Sequence, residues 1–111
     1  MPDNVLYSTD TNKVLAFSPV FGPTSATPFA PVPLVNAVSA TTRWQVRTAA
    51  EGTGVAGTGN ATFSGDVVNY KPGTADLALP PAIYLVQLTI KMIDGSDAVP
   101  EPGVVDLRAA I

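Results

Sequence analysis

The 111-residue chain has no cysteine and no histidine. Without Cys there is no disulfide scaffold and no thiolate zinc site. Without either residue, a Cys–His or Ser–His nucleophile cannot be assembled. Charge is scarce too: charged residues make up 14% of the chain, against roughly 25% in an ordinary soluble domain. The formal net charge is −3, and the basic residues Lys13, Arg43, Arg47, Lys71, Lys91 and Arg108 are scattered. Nucleic-acid binding needs a clustered basic stripe, and Arg43 with Arg47 is too little. Residues 14–42 carry no charge, but Pro19, Pro23, Pro28, Pro31 and Pro33 interrupt them. That density of proline is incompatible with a helix spanning lipid. Met1-Pro2-Asp3-Asn4 lacks the basic and apolar regions of a secretory signal. The expectation is a protein made in the cytoplasm, with no nucleic-acid partner and no membrane partner.

What is present is 46% hydrophobic residues, 11 Pro and 9 Gly. That is enough apolar material for the core of one small domain. The recurring signal is period-two alternation between turn residues. Residues 83–93 carry it most clearly. Tyr84, Val86, Leu88, Ile90 and Met92 share one apolar face, which belongs to the core. On the other face Ile83 and Leu85 give way to Gln87, Thr89 and Lys91. Asp94-Gly95-Ser96 then signals a hairpin turn. Residues 104–111 alternate again, with Val105, Leu107, Ala109 and Ile111 opposite Asp106 and Arg108. These two segments are expected to be antiparallel neighbours.

Upstream, Thr42, Trp44 and Val46 face inward from a strand over 41–48, with Arg43, Gln45 and Arg47 outward. Trp44 is expected to anchor the core. Residues 51–59 hold four glycines and read as a mobile hairpin loop. Residues 61–63 and 66–70 read as short strands about Ser64-Gly65, and Lys71-Pro72-Gly73 as a turn. Pro80-Pro81 forbids helix before the long strand. Residues 13–20 read as one edge strand, 21–33 as an extended Pro-rich segment, and 34–39 as a strand leading to Trp44. The sum is all-β, an antiparallel β-sandwich of about seven strands, with a small barrel as the alternative. The division expected is an extended N-terminal arm over 1–40 and a sandwich body over 41–111.

The order of these signals carries a resemblance. The Trp strand Thr42-Arg43-Trp44-Gln45-Val46-Arg47 precedes a Gly-rich loop. Gly65-Asp66-Val67-Val68-Asn69-Tyr70 and Leu79-Pro80-Pro81-Ala82-Ile83-Tyr84 follow, then Asp94-Gly95-Ser96, Pro100 and a closing strand. Over residues 13–111 this resembles the immunoglobulin-like (Ig-like) N-terminal module of the phage baseplate upper protein family. Ala82-Ile83 stands where that pattern has Gly before Tyr, and Pro33-Leu34-Val35-Asn36 replaces an Asp-Leu-Thr-Gly-like turn. The resemblance implies an Ig-like sandwich in a tailed-phage virion, at the tail, neck or baseplate. It implies a structural protein that packs against other virion proteins, as a homo-oligomer or in many copies. In composition alone, the chain also resembles phage capsid decoration proteins.

The candidate sites are few. Asp94, Asp97, Glu101 and Asp106 are oxygen ligands of the kind calcium takes, but they lack the EF-hand spacing. They read as a solvated hairpin tip whose acids keep a sheet edge from aggregating. Asp66 and Asp76 could be weighed as a glycosidase carboxylate pair, but ten residues apart across a Pro-Gly turn they assure no fixed separation, and surface polarity is the simpler reading. The glycines of 52–59 lack the Lys and the following helix of a phosphate loop. Asn60-Ala61-Thr62 is a sequon by pattern only. Pro28-Phe29-Ala30-Pro31-Val32-Pro33 suits a polyproline ligand, or more economically an arm lying along a neighbour. Phe21, Phe29, Val32 and Leu34 would be the anchors of that interaction arm. Trp44, Val46, Tyr84, Val86, Leu88 and Ile90 are the expected core. No catalytic residue, no metal ligand and no cofactor is assigned, and the expectation is a protein that is not an enzyme. A carbohydrate-binding sandwich would need exposed aromatics on one sheet face, from one Trp, three Tyr and four Phe.

Overall fold

The computed structural model describes residues 4–20, 34–50 and 52–109. Nine strands and one helical turn follow in order: β1 Asn4–Tyr7, β2 Leu15–Phe17, β3 Ala37–Val46, β4 Val55–Ala56, β5 Asn60–Ser64, β6 Val67–Lys71, α1 Thr74–Leu77, β7 Ala82–Met92, β8 Asp97–Ala98 and β9 Gly103–Arg108. They form a β-sandwich. The larger sheet runs β1-β9-β7-β3-β4, with β8 also on β7, and the smaller runs β2-β6-β5. Every described pairing is antiparallel except β1 with β9, which is parallel and places Leu6 beside Leu107.

The two longest strands form the spine. In β7, Tyr84, Val86, Leu88 and Ile90 are buried on one face, as the alternation requires. β3 lies antiparallel to β7 with Trp44 opposite Val86. The reading of 83–93 and 104–111 as antiparallel neighbours holds in the pairing of β7 with β9, Tyr84 opposite Val105. Gly95, at φ 87°, supplies the left-handed residue that turns β7 back into β8. In the smaller sheet, β5 and β6 pair from Ser64 opposite Val67, so Gly65-Asp66 is a two-residue hairpin loop. Trp44 lies edge-on to Tyr84 of the neighbouring strand, with centroids 5.8 Å apart, and tilted on Tyr70 of the smaller sheet at 6.3 Å. Aromatic pairs of this kind add about 0.5–1.5 kcal/mol beyond their area burial.

The structure revises four expectations. The arm over 1–40 is not a unit apart: Asn4–Tyr7 joins the larger sheet, Leu15–Phe17 the smaller, and β3 begins at Ala37. Leu6, Leu15 and Phe17 are buried in the common core, which is why these short segments hold their place. Leu34, expected as an arm anchor, is also buried in that core, 6% exposed. Phe21, Phe29 and Val32 lie outside the described residues. The Gly-rich stretch is not an open loop, because Val55–Ala56 pairs with β3 at Trp44 and Arg43. Finally, residues 74–77 form a single helical turn in a chain that showed no helical period. Of the last expected strand, Ala109 is exposed beyond the end of β9, and Ile111 lies outside the described residues.

Candidate functional site

The buried polar groups meet at one place between the sheets. Among the described residues Thr42 and Asp76 are the buried polar ones, 6% and 2% exposed. Trp44 Nε1 donates to Thr42 Oγ1 at 3.1 Å, and Thr42 Oγ1 donates to the Tyr70 hydroxyl at 3.1 Å. Tyr70 in turn donates to Asp76 Oδ2 at 2.5 Å. Three backbone N–H groups complete the cluster: Gly59 to the Tyr70 oxygen, Thr58 to Asp76 Oδ1, and Gly73 to Asp76 Oδ2. A buried carboxylate is costly unless its lone pairs are filled, and here both oxygens accept.

Local sequence explains how Asp76 arrives there. Gly73 caps α1, and Asp76 at the third helical position reaches back to the Gly73 N–H. The turn of helix thus aims the side chain inward beneath β6. Gly57 and Gly59 let the backbone pass against Thr42 and Tyr70; a Cβ on Gly59 would run into the Lys71 carbonyl and the Tyr70 ring. Asp66 and Asp76 therefore differ in kind. Asp66 is exposed, beside an open recess lined by Leu34, Val35, Phe63 and Gly65. Asp76, expected at the surface, is a core residue, and its partners explain why.

This cluster is a clasp between the two sheets, tying Thr42 of β3 to Tyr70 of β6 and to Asp76. Burial first, and then its hydrogen bond to Asp76, push the Tyr70 hydroxyl above its ordinary pKa, so it stays a neutral phenol. Burial also raises Tyr84, whose hydroxyl donates to the Pro80 carbonyl at 2.6 Å. The sign of the linkage follows: the folded chain holds these protons more tightly than the unfolded chain. The stability they contribute is complete below the unfolded tyrosine pKa of about 10, and falls as pH rises beyond it. Urea unfolding midpoints measured from pH 8 upward should drop above about pH 10, less steeply in Tyr70→Phe. An equal slope in the variant would remove Tyr70 from this account.

The four acids of the C-terminal hairpin go separate ways. Asp94 accepts from the hydroxyl and the N–H of Ser96, which hold its carboxyl below its ordinary pKa. Asp97 lies 3.6 Å from Lys91, and Asp106 Oδ2 takes both Nε and Nη2 of Arg108. Glu101 contributes a backbone N–H to the Val20 carbonyl. Among the described residues, no group of three or more acidic side chains is placed to hold a metal ion.

The expected core residues Trp44, Tyr84, Val86, Leu88 and Ile90 are buried, with Val46 half-buried against them. The surface is uneven. The outer face of the smaller sheet is formed by Ala16, Asn60, Thr62, Ser64, Val67, Asn69 and Lys71. At one end of the larger sheet Val35, Val38 and Ile93 are exposed by 88%, 60% and 75%. Among the described residues, no helix is long and apolar enough to cross a membrane. The described residues form an all-β sandwich in which the buried Thr42 and Asp76 are linked through the Tyr70 hydroxyl. No protein-family model matches it, and a search of curated proteins returns no match.

Proposed function

We propose that the chain is an Ig-like sandwich serving as a structural module of a tailed-phage particle, in the tail, neck or baseplate. It acts by packing against other virion proteins and carries out no catalysis. The observation that carries the Ig-like reading is the topology. A first strand lies parallel to the last, at one side of β9-β7-β3-β4, over a three-stranded partner sheet. Two details agree with it: the buried Trp44 on the strand of the spine, and Tyr84 near the start of β7 bonding back to the Pro80 carbonyl. Ig-type sandwiches place a core Trp and a tyrosine corner in such positions. The structural role rests on the resemblance in chain order and on a core whose polar groups face each other instead of a cleft.

A capsid decoration protein is the alternative within the same class. A carbohydrate-binding module is less favoured. Trp44, Tyr70, Tyr84 and Phe17 are buried, and Tyr7 is the most exposed aromatic among the described residues, at 39%. An antibody against the chain, followed by negative-stain imaging of purified particles, tests the proposal. Label at the tail or baseplate is the expected outcome, label over the head selects decoration, and unlabelled particles refute both.

A further inference from the structure

The outer faces of the two sheets differ in chemistry. The smaller one is mostly polar, with Ala16 and Val67 as its apolar positions. On the larger sheet, Val5, Ile83, Leu85 and Val104 all point away from the core and are half-buried. Register groups Ile83, Leu85 and Val104, with Asp106 between Ile83 and Val5. Val5 lies beside Asp106, Asp106 beside Ile83, and Val104 beside Leu85. Leu85 is flanked on its other side by Gln45, and the Arg47 N–H bonds the Ile83 carbonyl. The apolar centre is framed by Arg43 and Arg47 on the β3 side and by Asp106 and Arg108 on the β9 side.

We infer that this face is a symmetric interface with a second copy of the chain. The charges are arranged for it. A two-fold axis along β7 sets β7 over its counterpart and β9 over β3 of the other copy. Ile83 and Leu85 then meet their own equivalents, while Asp106 of each chain faces Arg47 of the other, because both flank Ile83 in one row. Such a contact is isologous and occurs twice. Asp106 uses Oδ2 for Arg108, and its Oδ1 lies on the same outward carboxylate. An apolar centre inside a polar rim is the ordinary anatomy of a protein interface. With this axis β9, β7 and β3 are the strands that overlie their counterparts, a face roughly 14 Å across, so the contact is small and the pairing is expected to depend on protein concentration.

This deepens the assembly reading and rests on it only for its biological use, since the pairing is a property of the isolated chain. Sedimentation velocity of the full chain, in a series reaching about 100 µM, is the test. Wild type should sediment as a dimer, and Leu85→Arg as a monomer with an unchanged melting temperature. Asp106→Lys should weaken dimerisation by about tenfold or more, and Arg47→Glu in the same chain should restore it. A monomeric wild type overturns the inference, as does a dimer indifferent to Leu85→Arg or a charge swap that restores nothing. A monomeric chain that still labels particles would sink this interface and leave the virion proposal standing.

Discussion

Replacing Asp76 with Ala is expected to lower the unfolding free energy by about 3–5 kcal/mol, because three donors lose their acceptor together. The Tyr70 hydroxyl and the N–H groups of Thr58 and Gly73 all end on this carboxylate. Each orphaned buried donor costs about 1–3 kcal/mol, moderated where water enters the space. For a domain of this size the melting temperature should fall by about 15–25 °C. Asp76→Asn is the informative companion. It keeps the volume, but both carboxylate oxygens face donors, so its amide must point an N–H at one of them. Asn should therefore recover only part of the loss. A double cycle with Tyr70→Phe should be strongly non-additive, since the two side chains share one bond. Differential scanning calorimetry of the wild type and these variants decides it; a loss below about 1 kcal/mol for Asp76→Ala would mean the clasp is incidental.

Trp44→Ala is expected to cost about 3–5 kcal/mol through the cavity it opens. Trp44 is 1% exposed, packs on Tyr70 and Tyr84, and donates to Thr42. Small domains have total stabilities of about 5–15 kcal/mol, so the variant should sit near the edge of folding. Trp44→Phe keeps most of the ring contact and gives up the Nε1 donor. It should lose about 1–2 kcal/mol. Urea unfolding followed by circular dichroism measures both. Equal losses for Ala and Phe would show that the Thr42 bond matters more than the packing.

The two predictions differ in how far the sequence announces them. Trp44 sits in an uninterrupted alternation from Thr42 to Val46, and a lone Trp there has one sensible place to go. β7 is legible for the same reason, as its period of two persists for 11 residues. Asp76 has no such context. Its partners are the Tyr70 hydroxyl and the N–H groups of Thr58 and Gly73, and of these only the Gly73 contact is local in sequence. The available cue was Gly73-Thr74-Ala75-Asp76, with an acid at the third position of a helical turn. A single turn is too short to show a helical period. The glycines of 52–59 misled in the same way. Flexibility is the default reading of such a run, whereas Gly57 and Gly59 are required by the close approach of backbone to Thr42 and Tyr70. β1 says little alone at four residues, and β2, which lies inside the edge strand read over 13–20, belongs to the smaller sheet through its pairing with β6 and not to an arm. They are placed by Leu6, Leu15 and Phe17 entering a core built mostly by later residues.

The parallel pairing of β1 with β9 has a mechanical side. The two strands run in the same direction, so Asn4 and Arg108 lie at opposite ends of their shared ladder. A pull applied to the chain at those two points would slide one strand along the other and load every bond of the ladder at once. An antiparallel arrangement would let the bonds open one after another, like a zipper. In a particle that transmits force between its parts, this geometry would make the sandwich a stiff link along that axis.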